Sequence, residues 1–281
     1  MVAGSGDLPT AAVLTGVAFY AWLLGRRGQG IHEVKTAAEA ASGQVPLRSR
    51  LATSGVARRV VRFRMRDGAL MRCAIADSGG LLSVYADRDY EIPGVDWSQV
   101  NTVVDIGAHV GSFSVWAARR APRARCLAVE PNPRTFGLLQ ANLKDNGLDR
   151  RVTAINAAIG PAAGSGRLEL VDHSLGTRLA RSGAGEVSVR VETLSALLEA
   201  ASLDRADVLK IDCEGSEYDV FARMDAETFG SIKTIACEYH PEPGHDVKEL
   251  DALLERQGFA VARPNLPLGV LWAVRPSQVT R

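Results

Sequence analysis

Aromatic residues make up only 6% of this 281-residue chain, and cysteines number four. Cys73, Cys126, Cys213 and Cys237 show no C-x-x-C spacing, which argues against a zinc site or a disulfide framework. Three of them fall in stretches that read as buried strands, so reduced thiols and a cytoplasmic location are expected. Neither sign of charge is in excess: 33 Lys and Arg face 32 Asp and Glu, for a net charge of +1. That balance gives no electrostatic footprint for nucleic acid or an anionic membrane. Long hydrophobic runs are missing too. Ala11 to Gly25 is apolar and is followed by Arg26-Arg27, but it falls short of the roughly twenty residues that span a bilayer. Without a basic n-region or an A-x-A site it makes a poor signal peptide. A buried or partner-packed helix is expected there in preference to a membrane contact. No internal repeat or low-complexity tract interrupts the chain.

The length suits one α/β domain plus an extension. Three regions are expected: a helical extension over 1–50 with a second helix at Glu33 to Ala41, a small β-rich subdomain over 51–100, and the main domain over 101–281. In the second region Arg62, Arg64 and Arg66 alternate with Phe63 and Met65, a period of two. Asp67-Gly68 signals a hairpin turn, and Leu70 to Ala76 returns. The arginine row reads as a solvated strand face. From Thr102 the pattern predicts strands at 102–106, 126–130, 152–156, 207–212, 233–239, 258–263 and 269–275. Helices are predicted at 111–120, 133–147, 193–201, 215–223 and 246–257, with Asn146-Gly147 closing the second. Such alternation implies an α/β fold with a mostly parallel sheet and helices on both faces. Pro264 to Pro267 leaves no room for a crossover helix, so the last two strands must pair antiparallel.

The densest signal is Val103-Val104-Asp105-Ile106-Gly107-Ala108-His109-Val110-Gly111, answered by Ala128-Val129-Glu130-Pro131-Asn132. A glycine turn after a buried strand lets the backbone approach a ligand and take up positive φ. The helix that follows offers unpaired N–H groups at its start. An acid ending the next strand can accept hydrogen bonds from ribose hydroxyls. Dinucleotide sites share this layout, but their fingerprint is G-x-G-x-x-G. Here His109 replaces the glycine on which a pyrophosphate would sit. Asp105 puts a carboxylate where a diphosphate would be repelled and the ammonium of S-adenosylmethionine would be welcome. This disfavours a nicotinamide-dependent oxidoreductase.

Together these motifs resemble the FkbM family of S-adenosylmethionine-dependent methyltransferases, over about Tyr90 to Arg275. The resemblance also rests on Asn156-Ala157-Ala158-Ile159-Gly160, on Leu209-Lys210-Ile211-Asp212-Cys213-Glu214-Gly215-Ser216-Glu217, and on Glu238-Tyr239-His240-Pro241. It implies a Rossmann-like class I methyltransferase sheet, six parallel strands and one antiparallel; the N-terminal helical and β-hairpin extension is read from the residues alone. It implies that Asp105, Gly107, His109 and Gly111 line the methionine end of the cofactor, that Glu130 holds the ribose with Asn132 beside it, and that Asn156 and Ala157 border the adenine; Asp212 is expected to touch the cofactor as well. Family members typically methylate hydroxyls on polyketide, sugar or other secondary-metabolite scaffolds. Two departures stand out: the family often has asparagine at the position of His109, and aspartate at that of Ser195. The first 50 residues match no part of the pattern.

Ligands of open α/β sheets bind beyond the C-terminal strand ends. Asp212 and Glu214 are two apart, as are Glu238 and His240, so each pair shares a face while the backbone stays extended. Buried charge is costly without partners, and Lys210 is a candidate partner in this catalytic set. For a hydroxyl acceptor a general base helps, and histidine suits neutral pH, so His240 or Asp212 is expected in that role. An alternative has Asp212, Glu214, Glu238 and His240 hold a hard cation such as Mg2+, although no dedicated metal motif is present. The loop Asp172 to Arg178 reads equally as a substrate lid or a solvated connection. Base methylation of nucleic acid is disfavoured by the absence of Pro-Pro and Pro-Cys. A non-catalytic binding module is disfavoured by the intact Asp105, Glu130 and Asp212. The expected partner is a small hydroxylated acceptor, free or tethered to an acyl carrier. The N-terminal helices are candidates for a cap or a homodimer contact.

Overall fold

A computed structural model describes residues 59–170, 177–180, 187–264 and 269–276. The helices expected at 11–25 and 33–41, most of the 172–178 loop and most of the 264–267 turn lie outside these residues. The chain divides into two compact units, 1–88 and 89–281. In the first, β1 (Val60–Arg64) pairs antiparallel with β2 (Leu70–Ala74), with Val61 opposite Cys73. Gly68 takes φ +86° in the turn between them, as Asp67-Gly68 predicts. The return strand stops at Ala74, and helix α1 (Gly79–Tyr85) follows. The sequence reading placed only strands in this stretch. Gly79-Gly80 opens that helix, and glycine's poor helix propensity masks it.

In the second unit the chain alternates as expected. Strand β3 (Thr102–Ile106) leads to α2 (Ser112–Arg120), β4 (Arg125–Val129), α3 (Pro133–Asp145) and β5 (Val152–Ile155). An excursion unseen in the sequence comes next: β6 (Ala158–Ile159), β7 (Gly164–Glu169), β8 (Arg178–Leu179) and β9 (Val187–Glu192). These form a separate four-stranded sheet ordered β6-β9-β7-β8. Then come α4 (Leu194–Ala200), β10 (Val208–Ile211), α5 (Glu217–Arg223), the short α6 (Ala226–Gly230), β11 (Thr234–Glu238), α7 (Val247–Arg256), β12 (Ala260–Ala262) and β13 (Val270–Val274).

The seven-stranded sheet is ordered β12-β13-β11-β10-β3-β4-β5. Strand β13 runs antiparallel to both β11 and β12, and the other ladders are parallel. This is the predicted sheet of six parallel strands and one antiparallel. All four residues of β10 are buried, as are Val103 to Ile106, which requires cover on both faces. One core gathers Val104, Ile106, Leu209 and Ile211 with Leu197, Phe221 and Leu254 from the helices. Helix starts follow local capping chemistry. Asn132 accepts from the Arg134 N–H, with Pro133 in the first turn of α3. Asp246 and Glu249 form a capping box on α7. No helix among the described residues is long and apolar enough to cross a membrane.

The chain leaves β3 toward β4 and β5, then returns to β10 on the other side of β3. That reversal of winding makes the C-terminal ends of β3 and β10 the switch point, where open α/β sheets bind ligands.

Candidate active site

The turn after β3 is built by contact with the turn after β10. Gly107 has φ +69°, and a Cβ there would collide with the carbonyl oxygen of Asp212. The Asp212 N–H in turn donates to the Ile106 carbonyl at 3.1 Å. Glycine is thus required twice at one position, by backbone conformation and by space. Gly107→Ala is expected to destabilise the fold by about 2–4 kcal/mol, from left-handed strain and overpacking together. Urea denaturation checks this, and an unchanged midpoint would contradict it. Gly111 (φ +85°) precedes α2, and a Cβ there would strike Leu139 of α3.

Lys210 and Asp105 are register partners on β10 and β3. The Lys210 ammonium is buried 3.4 Å from both Asp105 Oδ1 and Asp212 Oδ2. It also donates to the carbonyls of Gly107 at 2.7 Å and Ile106 at 3.3 Å. Burial works against its charge, but Asp212 and Asp105 outweigh it and hold its pKa above the ordinary value. Ser114 of α2 donates to Asp105 Oδ2 at 2.5 Å. The predicted partnership of Lys210 with the acids is therefore present, and it ties the switch point together from below.

Glu130, at the end of β4, is buried. Its carboxylate accepts from the His109 N–H, the Asn132 N–H and the Thr135 hydroxyl, each at 2.8 Å. Burial pushes its pKa up to about 7. It therefore clamps the glycine turn to the start of α3. Asn156 donates to the carbonyls of Glu130 and Pro131 at 2.7 and 3.0 Å, closing the ends of β4 and β5. Asn132 spends its side chain capping α3.

A cleft of about 590 Å³, open to solvent, lies over these turns. Of the residues expected to touch a cofactor, Gly107, His109, Ala157 and Asp212 line it. Asp105, Gly111, Glu130, Asn132 and Asn156 are not among its lining residues; their contacts build the turns that shape it. Pro131, Ile159 and Leu168 add apolar wall, and Thr177 and Arg178 bring part of the unforeseen sheet and its approach to the rim.

Beside the cleft Asp212, Glu214, Glu238 and His240, four of the five expected catalytic groups, do converge. His240 Nε2 lies 3.4 Å from Glu214 Oε2 and 3.9 Å from both Asp212 Oδ1 and Glu238 Oε1. Tyr90 donates to Glu238 Oε2 at 2.9 Å. Glu214 (φ +53°) and Gly215 (φ +102°) take left-handed conformations. That delays the helix predicted from 215 until Glu217 and turns Glu214 into the cleft wall. Burial pushes the carboxyls of Glu214 and Glu238 up to about 7. Burial works against a charged His240, but its hydrogen bond to Glu217 and the charges of Glu217, Asp212 and Glu214 outweigh it and hold its pKa at about 9. Glu217 is a neighbour of His240 that the sequence reading left without a role. The signal was there, a third acid spaced after Asp212 and Glu214 in the same motif.

All four cysteines are free, and Cys73, Cys126 and Cys237 are buried.

The family model described as the methyltransferase FkbM domain matches residues 105–261. Methyltransferase 1 of Beauveria bassiana is 28% identical over 200 residues, covering 64% of this chain and 79% of that protein. The 31-O-demethyl-FK506 methyltransferase FkbM of Streptomyces tacrolimicus is 27% identical over 243 residues, covering 74% and 92%. The hexuronic acid methyltransferase AglP of Haloferax volcanii is 28% identical over 153 residues, covering 53% and 59%.

Proposed function

The chain belongs to the methyltransferase FkbM family, and from that premise we propose that it moves the methyl group of S-adenosylmethionine onto a hydroxyl of a small-molecule acceptor. The observation that carries this reading is the convergence of His240 with Asp212, Glu214 and Glu238 beside a cleft at the switch point. The donor set fits the cofactor. A sulfonium and an ammonium are cations, and the cleft wall carries the Asp212 and Glu214 carboxylates. Pro131, Ala157 and Ile159 offer an apolar surface suited to adenine. Glu130 already accepts three hydrogen bonds. Of the roughly four acceptor positions of a carboxylate, about one is left for a ribose hydroxyl.

When bound, the cofactor supplies an electrophilic methyl group. The protein's own part is to align the acceptor oxygen and remove its proton. His240 and Asp212 stand together for that task, each about a quarter exposed (side chains 22% and 24%). The names of two relatives contain an O-demethyl substrate and a hexuronic acid, which supports an oxygen-rich acceptor of the polyketide, sugar or related secondary-metabolite type. The balanced charge supports a small molecule, free or carrier-tethered, over nucleic acid, and the free cysteines support a cytoplasmic location. Incubation with cofactor bearing a deuterated methyl group and a panel of hydroxylated polyketides and sugars tests the reading. A labelled methyl ether is expected; label on nitrogen or carbon would overturn it.

Because the His240 ring holds its proton up to about pH 9, it can accept another only when deprotonated. With His240 as base, kcat/KM, which reports the free enzyme, is expected to rise about tenfold per pH unit below pH 9 and then level off. A profile flat from pH 6 to 9 would contradict that role.

A second reading is favoured by one geometric fact. Ligand atoms of Asp212, Glu238 and His240 all lie within 4.8 Å of one another, close enough for one divalent cation to touch all three, with Glu214 adjacent. Such an ion would hold an acceptor oxygen and lower its pKa. Loss of activity with chelator, restored by magnesium, would support it, and indifference to chelator would remove it.

A further inference from the structure

The molecule spends a fully buried carboxylate on one face of His240. Glu217 opens α5 and is 0% exposed. A charge so placed needs partners, and three donors meet it. The Cys213 N–H and the His240 Nδ1 reach Oε1, each at 3.0 Å, and the Gly215 N–H reaches Oε2 at 2.8 Å. Two of these hold the loop that carries Asp212 and Glu214. The third joins the start of α5 to His240, 23 positions along the chain and beyond the next strand.

A carboxylate only accepts hydrogen bonds, so the imidazole nitrogen facing it must carry the proton. That leaves Nε2 as the lone-pair nitrogen of the neutral ring, and Nε2 is the one facing Asp212, Glu214 and Glu238. We propose that Glu217 is the positioning residue for the methyl-transfer reaction, fixing the ring orientation and Nδ1–H tautomer of His240 so that Nε2 is presented to the acceptor hydroxyl. The inference rests on His240 being the base, and assigns Glu217 the orienting part that the third group of a nucleophile–base–orienter set plays.

The groups facing the ring come from every neighbouring element. They are Glu217 from α5, Asp212 and Glu214 from the loop after β10, and Glu238 from the end of β11, with Lys210 behind Asp212. Among the described residues, Glu217 is the one that contacts Nδ1. Glu217→Gln removes its charge and keeps its shape, so the ring loses a contact that favours its protonated form. The alkaline rise of the pH–rate profile should move to lower pH, and turnover on the alkaline plateau should fall about 10- to 100-fold, within the range that general-base catalysis supplies. A loop defect alone would lower turnover without moving the profile.

The decisive experiment compares Glu217→Gln, His240→Ala and the double variant, and also reads the tautomer in the unaltered protein. If Glu217 acts through His240, the double variant turns over no more slowly than His240→Ala alone. Multiplied losses would overturn the proposal. Should Glu217→Gln fail to fold, nitrogen-15 NMR of histidine-labelled wild-type protein above pH 9 decides the matter. The proton is expected on Nδ1 of His240, and a ring protonated on Nε2 would overturn the assignment. Normal turnover in His240→Ala would instead sink the base reading itself, so the two failures are distinguishable.

Discussion

Replacing His240 by alanine is expected to lower turnover by about 10²- to 10⁴-fold, the range that a positioned general base supplies, and to leave S-adenosylmethionine affinity within a few-fold. The split follows from where the ring sits. Its Nε2 lies against the carboxylates of Asp212, Glu214 and Glu238, while the glycine turn and the apolar wall around Ala157 line the cleft proposed for the cofactor. Removing the imidazole would delete the proposed proton acceptor and leave the proposed cofactor walls in place. Asp212→Ala should also cut turnover. It touches the cleft directly and pairs with Lys210 at 3.4 Å, so a shift in cofactor affinity beyond a few-fold would mark it as a cofactor ligand more than a base. Normal turnover in both variants would remove the assignment.

The second large effect concerns stability. Lys210→Met is expected to destabilise the protein by about 3–5 kcal/mol, the usual penalty for stripping one partner from a buried ion pair. The ammonium is 5% exposed and Asp105 only 1%. Without Lys210, the Ser114 hydroxyl is the one donor left to Asp105 among the described residues, and the carbonyls of Ile106 and Gly107 lose the ammonium that they accept from. Adding Asp105→Asn to this background should recover part of the loss, because the stranded charge is then gone. Urea denaturation of the single and double variants checks both statements. A loss below about 1 kcal/mol for Lys210→Met would mean the pair is solvated far more than its burial implies.

The sheet was legible because its signal is local. Val103 to Gly111 and Ala128 to Asn132 are contiguous strand–turn segments in which composition and period agree, and the alternation after Thr102 named all seven strands to within about two residues. The convergence of Asp212, Glu214, Glu238 and His240 was legible for a related reason: adjacent parallel strands end together. What escaped depends on packing or on masking by glycine. Gly164 and Gly166 disguise β7, although the alternation of Val187 to Glu192 was a usable clue to β9. Asn132 and Asn156 read as ligand-facing polar residues, yet each has a local use, capping a helix or closing two strand ends. Glu217 shows the same limit from the other side. The motif marks it as a third acid after Asp212 and Glu214 but does not reveal that it will meet His240, since that contact exists only after β11 is laid beside β10.

The most direct test of the account is a calorimetric titration of the purified protein with S-adenosylmethionine, with NADH as the control. Saturable micromolar binding of S-adenosylmethionine, and none of NADH, is the predicted result. Binding of NADH alone would contradict the reading of the Gly107 turn and of the carboxylates around it, and with it the proposed methyl transfer.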